Sequence, residues 1–234
     1  MIPAHWTLPV SLQERLGREP GPQRMILEEG HLLLVLNKLP KAGDPQRQGV
    51  FFWRSPTGAW QASEREGEGL PILKAHFVAF SAALDRLTAV EIKADSAKEY
   101  HAILTELAPI TRTVRHAHET LQKAREALPE EDRIIDLRDQ AAALERSAEL
   151  LLQDANYGLN FTVARRTEEE AESARRLNLL VAIFLPLSTL AGVFSMGLKS
   201  GTGLEAHPQA FWLIVTAGLL LGTVLAILLG RRKR

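Results

Sequence analysis

The most uneven feature of the chain is where its uncharged apolar residues fall. Leu177 to Phe194 and Phe211 to Leu229 are eighteen and nineteen residues without a charge, and sixteen residues separate them. Stretches of about that length are long enough to span a hydrocarbon core as helices. Upstream of Leu177 no comparable run occurs, and the pattern is instead periodic. This asymmetry predicts a water-facing N-terminal portion followed by a C-terminal membrane hairpin.

The upstream period changes along the chain. Residues 1–22 are rich in proline and glycine, with a short helical pattern around Ser11 to Leu16. Met25 to Leu36 places a Glu-Glu-Gly turn before a five-residue apolar run, and Val50 to Trp60 places aromatic and β-branched residues around Ser-Pro-Thr-Gly. Three or four strands of a small sheet are expected, within an α/β domain over residues 1–69. From Leu70 the period becomes 3.6. Ile72, Ala75, His76, Ala79, Ala83 and Leu87 fall on one helical face, and a second helix is expected from Asp95 to Leu128, crossed by Pro109. These two make a helical hairpin over residues 70–128.

Pro129, Glu130, Glu131 and Asp132 read as the start of a third helix, with acids at the positive end of its dipole. Ile134, Leu137, Ala141, Leu144, Ala148, Leu151 and Ala155 then alternate three and four apart, a coiled-coil seam. Nothing breaks this pattern before the first span, so a stalk over residues 129–176 is expected to run on into a membrane helix over 177–197. The whole would cover roughly 65 residues, or about 100 Å at 1.5 Å per residue. The seam requires partners, either copies of the same helix or the 70–128 hairpin, and its pattern serves both. Gly158 interrupts it, through a close approach or a bend. A loop (198–208), a second span (209–230) and a basic tail (231–234) complete the chain.

The first span is not uniformly apolar. Asn178, Ala182, Leu185, Ser188 or Thr189, Gly192 and Ser195 recur every three or four residues, which gathers the small and polar groups on one stripe. Hydroxyls and amides gain nothing from lipid, so the stripe suits either a helix interface or the lining of a wet pore. Pro186 removes a backbone hydrogen bond mid-span. In the second span Gly218 and Gly222 form a small-xxx-small face. Arginines precede the first span and four cations follow the second, so both ends are expected in the cytoplasm.

Composition narrows the function by exclusion. With 28 Lys and Arg against 28 Asp and Glu the formal net charge is zero, which disfavours a binder of nucleic acid. There is no cysteine, hence no disulfide or thiolate metal site. The first residues lack the pattern of a signal peptide. No phosphate-binding loop, nucleophile elbow or spaced metal-ligand set is present, so an enzyme is not expected. His116 and His118, two apart on a helix, face different sides. The charges from Arg165 to Arg176 read as a solvated face, though acids repeated around an axis would concentrate cations.

The run IFLPLSTLAGVFSMG, residues 183–197, resembles the end of the first transmembrane helix of the CorA magnesium-transporter superfamily. Phe184, Pro186, Leu187, Ala191, Gly192 and Met196 fall on the family's pattern, while Ser188 stands where threonine is usual. Arg24 and Leu32 to Leu36 also match the family's N-terminal pattern, loosely. The resemblance implies an α+β membrane protein with a small N-terminal α/β cytoplasmic domain and a long stalk helix continuous with the first of two C-terminal transmembrane helices. It further implies a homopentamer in the inner membrane that passes divalent cations, Mg²⁺ first and Co²⁺, Ni²⁺ or Zn²⁺ besides, without an organic cofactor. The lining residues it implies are Asn160, Leu177, Asn178, Leu185, Ser188, Gly192, Ser195, Met196 and Gly197. Asp136 and Asp139 stand where family members bind regulatory magnesium. The chain departs from the family at its signature Gly-Met-Asn, which reads Ser195-Met196-Gly197 here. The asparagine that holds a hydrated cation at the outer mouth is absent, which leaves a non-conducting assembly with a regulatory or scaffolding role as the alternative.

Overall fold

The structure is a computed structural model that describes residues 2–3, 5–16, 21–40, 48–65, 67–195 and 208–231. It divides into two compact units, Met1–Thr162 and Val163–Arg234. The elements of the first are α1 (Val10–Glu14), β1 (Arg24–Glu28), β2 (His31–Asn37), β3 (Gly49–Arg54), β4 (Trp60–Ala62), α2 (Gly69–Glu91) and α3 (Ala97–Ala127). α4 (Asp132–Ser195) begins in the first unit and ends in the second, which also holds α5 (Pro208–Arg231).

The four strands form an antiparallel meander in chain order. A two-residue turn joins β1 to β2, with Glu29 at φ 51° and Gly30 at φ 78°. Positive φ at both central positions matches the strand twist of a tight hairpin. β2 is buried on both faces, which is why its sequence is a continuous apolar run rather than an alternation. On one face Leu32, Leu34 and Leu36 join Val50, Phe52 and Trp60 against α2, α3 and the start of α4. On the other, Leu33, Val35, Ile26 and Trp53 lie under Trp6, Leu8 and Leu12 of the N-terminal segment. A second helical core holds Phe80, Leu84, Leu87, Leu107, Ile110, Val114, Ala148 and Leu151.

Each helix shows which sequence signals won. In α2 the buried face is Leu73, Phe77, Phe80, Ala83, Leu84 and Leu87, while Ala75 and Ala79 are exposed. Of the expected face Ala83 and Leu87 are buried and Ile72 and His76 half-buried, while Phe77, Phe80 and Leu84 are buried in preference to Ala75 and Ala79 because they offer several times the apolar area. α3 starts with a capping box in which Ser96 Oγ accepts from the Glu99 amide and the Glu99 carboxylate accepts from the Ser96 amide. Those hydrogen bonds, with the Asp95 amide's the largest influence, hold the Glu99 carboxyl below its ordinary range. α3 continues through Pro109 without ending. Pro129 is not in the first turn of α4; it lies in the preceding turn, where its carbonyl accepts from Arg125 (2.6 Å), and α4 begins at Asp132.

The seam of α4 is internal to the chain. Ile134, Leu137 and Ala141 are fully buried in the core beneath the sheet, and Ala148 and Leu151 in the second core. Of the two partners the pattern allows, the neighbouring helices of the same chain occupy this face. Gly158 has a specific reason. A β-carbon there would collide with the ring of Tyr100, whose hydroxyl donates to the Ala94 carbonyl at 2.9 Å. Neither a backbone contact nor a bend is needed to explain the glycine; an aromatic ring from the start of α3 fills its place.

Candidate functional site

The residues expected to line an ion path are carried mainly by the second unit. Leu177, Asn178, Leu185, Ser188 and Gly192 are all exposed on α4. At ~100° per residue these positions fall on one side of the helix. Ser195 ends α4, and its side chain, with Met196 and Gly197, lies outside the described residues, as do residues 198–207 of the expected 198–208 loop, whose last residue, Pro208, begins α5 instead, and the last three residues of the tail. The altered signature is therefore known here from sequence only.

Two hydroxyls in this stretch behave differently. Thr189 Oγ1 donates to the Leu185 carbonyl at 2.7 Å, so its proton is used within the helix. Ser188, one residue earlier, has no hydrogen-bond partner among the described residues. Its exposed hydroxyl is left to meet an outside group. Gly192, a turn further on, is open: a β-carbon there would meet nothing within 4 Å.

Gly222 shows the opposite situation. A β-carbon at this buried position of α5 would lie 2.9 Å from the Ile183 Cα and 3.3 Å from the Ala182 carbonyl oxygen. The helices thus meet backbone to backbone. Ala182 lies four residues before Pro186, which has no N–H to bond to that carbonyl. The proline defect and the glycine contact fall at the same place.

Around these contacts the unit exposes large apolar side chains, among them Leu177, Leu180, Val181, Phe184 and Leu185 on α4 and Trp212, Leu219, Leu220, Val224 and Ile227 on α5. The first uncharged stretch forms the end of α4 and the second lies within α5. Several side chains of each stretch are outside the described residues, and among the described residues no helix is long and apolar enough to cross a membrane. The charged run preceding them is exposed throughout; Arg165 pairs with Glu169 (3.1 Å) and Arg176 with Glu172 (3.6 Å), each four apart along the helix.

In the first unit, Asp136, Asp139 and Asn160 are exposed on α4. Asp139 contacts Arg138 at 3.1 Å, and Asp136 has no ion-pair partner among the described residues. No three His, Asp or Glu residues come together as a metal site among the described residues. His116 and His118 separate as their spacing requires. His116 meets Glu119 (3.3 Å), while His118 reaches Glu145 on α4 (2.6 Å). Glu145 also receives Arg115, whose second nitrogen contacts Glu149; these carboxylates raise the Arg115 pKa.

Three features were not anticipated from sequence. Arg54 of β3 donates to Glu131 at 2.6 Å with both side chains largely buried, tying the sheet to the residue before α4. No periodicity marks such a pair. His76 is packed among Phe52, Phe77 and Phe80 with its Nε2 buried and without a hydrogen-bond partner. Burial lowers its pKa to about 4. The third is Tyr100 against Gly158; the glycine was the visible signal, but not its partner.

Residues 81–233 match the protein family described as CorA-like Mg²⁺ transporter protein. The fold is similar to the complete CorA magnesium transporter of Methanocaldococcus jannaschii, with TM-score 0.62 and 15% identity over 96% of this chain and 84% of that one. It is also similar to the full-length CmaX protein (TM-score 0.63, 15% identity, 92% of this chain and 78% of that one). The cytoplasmic domain of ZntB from Vibrio parahaemolyticus matches with TM-score 0.56 and 12% identity, over 69% of this chain and 80% of that one. No curated protein matches by sequence. The family match takes in α3, α4, α5 and part of α2, the structural match extends over the small α/β domain, and the chain belongs to the CorA-like Mg²⁺ transporter family.

Proposed function

We propose that this chain is a homo-oligomeric, pentameric channel or transporter for divalent cations, Mg²⁺ first, with the path running along the 177–197 part of α4. In this reading residues 177–197 and 209–230 cross the inner membrane, the 129–176 stalk and everything before it is cytoplasmic, and the basic tail returns to the same side. The observation that carries it is the free hydroxyl of Ser188 on an exposed, uncharged helix face. In lipid that group would be an unmet cost, whereas around a wet axis it can meet the water shell that Mg²⁺ gives up reluctantly. Asn160 and Asn178 offer amides on the same helix, with Leu177, Leu185 and Gly192 between or beyond them. Asp136 and Asp139, one turn apart and exposed, are the candidates for a regulatory cation shared with a neighbouring copy.

The second reading, a non-conducting assembly, is favoured by one observation: Gly197 stands where the family's asparagine would ring the mouth. Purified protein in liposomes separates the two, with uptake of Mg²⁺, Co²⁺, Ni²⁺ and Zn²⁺ measured one at a time. Uptake of at least one ion above empty liposomes is expected. No uptake of any of them by a folded oligomer would transfer the assignment to the non-conducting assembly.

A further inference from the structure

At the β4 edge of the sheet lies a cleft of about 410 Å³, lined by His5, Trp6, Gln61, Ala62, Arg65 and Gly67. That volume falls in the range of small-molecule sites. Three parts of the chain build it: the N-terminal segment, β4, and the loop from β4 to α2. The loop is held at both ends. The Ser63 amide donates to the Phe51 carbonyl at 2.9 Å, and Ser63 Oγ accepts from the Phe51 amide at 3.0 Å. At the other end a β-carbon on Gly69 would collide with the Gln61 backbone, so the start of α2 presses directly on β4. Between these anchors Gly67 takes φ 125°, and a β-carbon there would meet nothing within 4 Å. The side of the cleft that carries Arg65 and Gly67 therefore stands clear of the sheet while its ends are fixed.

The polar groups in the wall are unmatched. Trp6 and Trp53 lie with ring centroids 5.6 Å apart. The Trp53 indole N–H donates to His31 Nδ1 at 3.1 Å. The Trp6 indole N–H is buried and has no acceptor among the described residues, and Trp6 as a whole is only 6% exposed. Gln61 stands directly opposite Trp53 in the β3–β4 register and so shares its face of the sheet, the face that Trp6 covers. The Gln61 amide has no hydrogen-bond partner, and Arg65 no ion-pair partner, among the described residues. Glu64, next to Arg65, is paired with Lys38 instead. One unpaired arginine is ordinary solvated surface. Its convergence with an unmatched amide and a buried indole donor is not, because buried donors are nearly always satisfied. Among the described residues no carboxylate lines the cleft, which favours an anion over a cation as its occupant.

We propose that this cleft binds a small organic anion, with its carboxylate or phosphate held by Arg65. A guanidinium presents a planar fork of donors that suits either oxyanion. Gln61 meets the remaining polar groups of the ligand, and the indole of Trp6 gives an apolar wall with a further donor. The occupant ties the N-terminal segment to the loop before α2. The site is independent of whether α4 carries ions.

Calorimetric titration of the full-length protein in detergent, in buffer free of phosphate and divalent cations, tests this with inorganic phosphate, adenosine monophosphate and succinate. Saturable binding of at least one of the two organic probes is expected. Arg65→Gln should weaken it by about tenfold or more, the worth of a charge-assisted hydrogen bond, and Arg65→Lys by less. Arg112→Gln removes the same charge from an exposed position of α3 and should leave binding within about twofold of wild type. Thermal unfolding confirms that each variant is folded. Binding of the nucleotide without succinate assigns a phosphate ester, the reverse a carboxylate, and both together an oxyanion of either kind. Binding of inorganic phosphate alone would mean an adventitious ion only and would overturn the organic ligand. No binding at all, or organic-probe binding that falls equally in Arg65→Gln and Arg112→Gln or in neither, would overturn the site.

Discussion

α4 is one helix with two kinds of surface. Up to residue 162 it buries Ile134, Leu137, Ala141, Ala148, Leu151 and Ala155 within its own chain and leaves the opposite side exposed. From 163 onwards almost every described side chain is exposed, first charged and then apolar. The same hydrogen-bonded backbone thus serves in one unit as a core element and in the other as a scaffold that presents side chains outward. The difference teaches that periodicity states only that a helix has a partner. Who the partner is depends on what else the chain folds beside it.

The comparison breaks most readily at Leu137. This side chain is fully buried between sheet and helices, so Leu137→Ala should cost about 2–5 kcal/mol of stability. Leu185→Ala, at a position 61% exposed, should change detergent-solubilised stability by less than about 0.5 kcal/mol. Thermal or denaturant unfolding of the two variants side by side measures the contrast, and equal effects would mean that the two parts of α4 are packed alike.

A somewhat smaller effect follows from His76, whose folded pKa of about 4 lies below its ordinary 6.5 because of burial, with Glu64 and Lys38 acting in opposite directions. The folded state favours the neutral ring, so its stability contribution is complete above pH 6.5 and is lost as pH falls towards 4, by about 3 kcal/mol at most. Unfolding measured from pH 7 to 4 should show that slope in the wild type, and His76→Phe should flatten it. A slope unchanged in the variant would assign the acid sensitivity to other groups.

The second unit is tested by its two contrasting glycines. Gly222→Val should cost about 1–3 kcal/mol through overpacking, because its β-carbon meets the backbone at Ile183, which cannot rotate away. Gly192→Ala meets nothing within 4 Å and should leave the stability of the detergent-solubilised protein unchanged. The smallest effect is expected for the exposed acids. Asp136→Asn with Asp139→Asn should leave stability without added cation unaltered, yet abolish any protection from proteolysis that Mg²⁺ gives the wild type. Protection that persists in the double variant would return both acids to the solvated surface.

Much of this architecture was legible because each element announces itself locally. The turn at Glu29 and Gly30, the apolar run of β2 and the uninterrupted helix into the first apolar stretch all follow from short-range chemistry. What was not legible depended on residues distant in sequence. The face of α2 was only partly foreseen, because burial selected Phe77 and Phe80 over Ala75 and Ala79. Gly158 could not name Tyr100, nor Glu131 its partner Arg54, since both pairs are brought together only by folding. For the candidate ion path the stripe of Asn178, Ser188 and Gly192 was visible in spacing, but the difference between Ser188 and Thr189 was not. It lies in which hydroxyl already spends its proton on the helix.

That difference gives the most direct test of the claim that α4 carries the ion. Divalent-cation uptake into liposomes should be compared for the wild type, Ser188→Ala and Thr189→Ala at equal incorporation. If the free hydroxyl contacts the hydrated ion, Ser188→Ala should lower uptake by roughly three- to tenfold, the worth of one hydrogen bond, while Thr189→Ala stays close to wild type. Uptake that falls equally in both variants, or in neither, would contradict the assignment of this face to the ion.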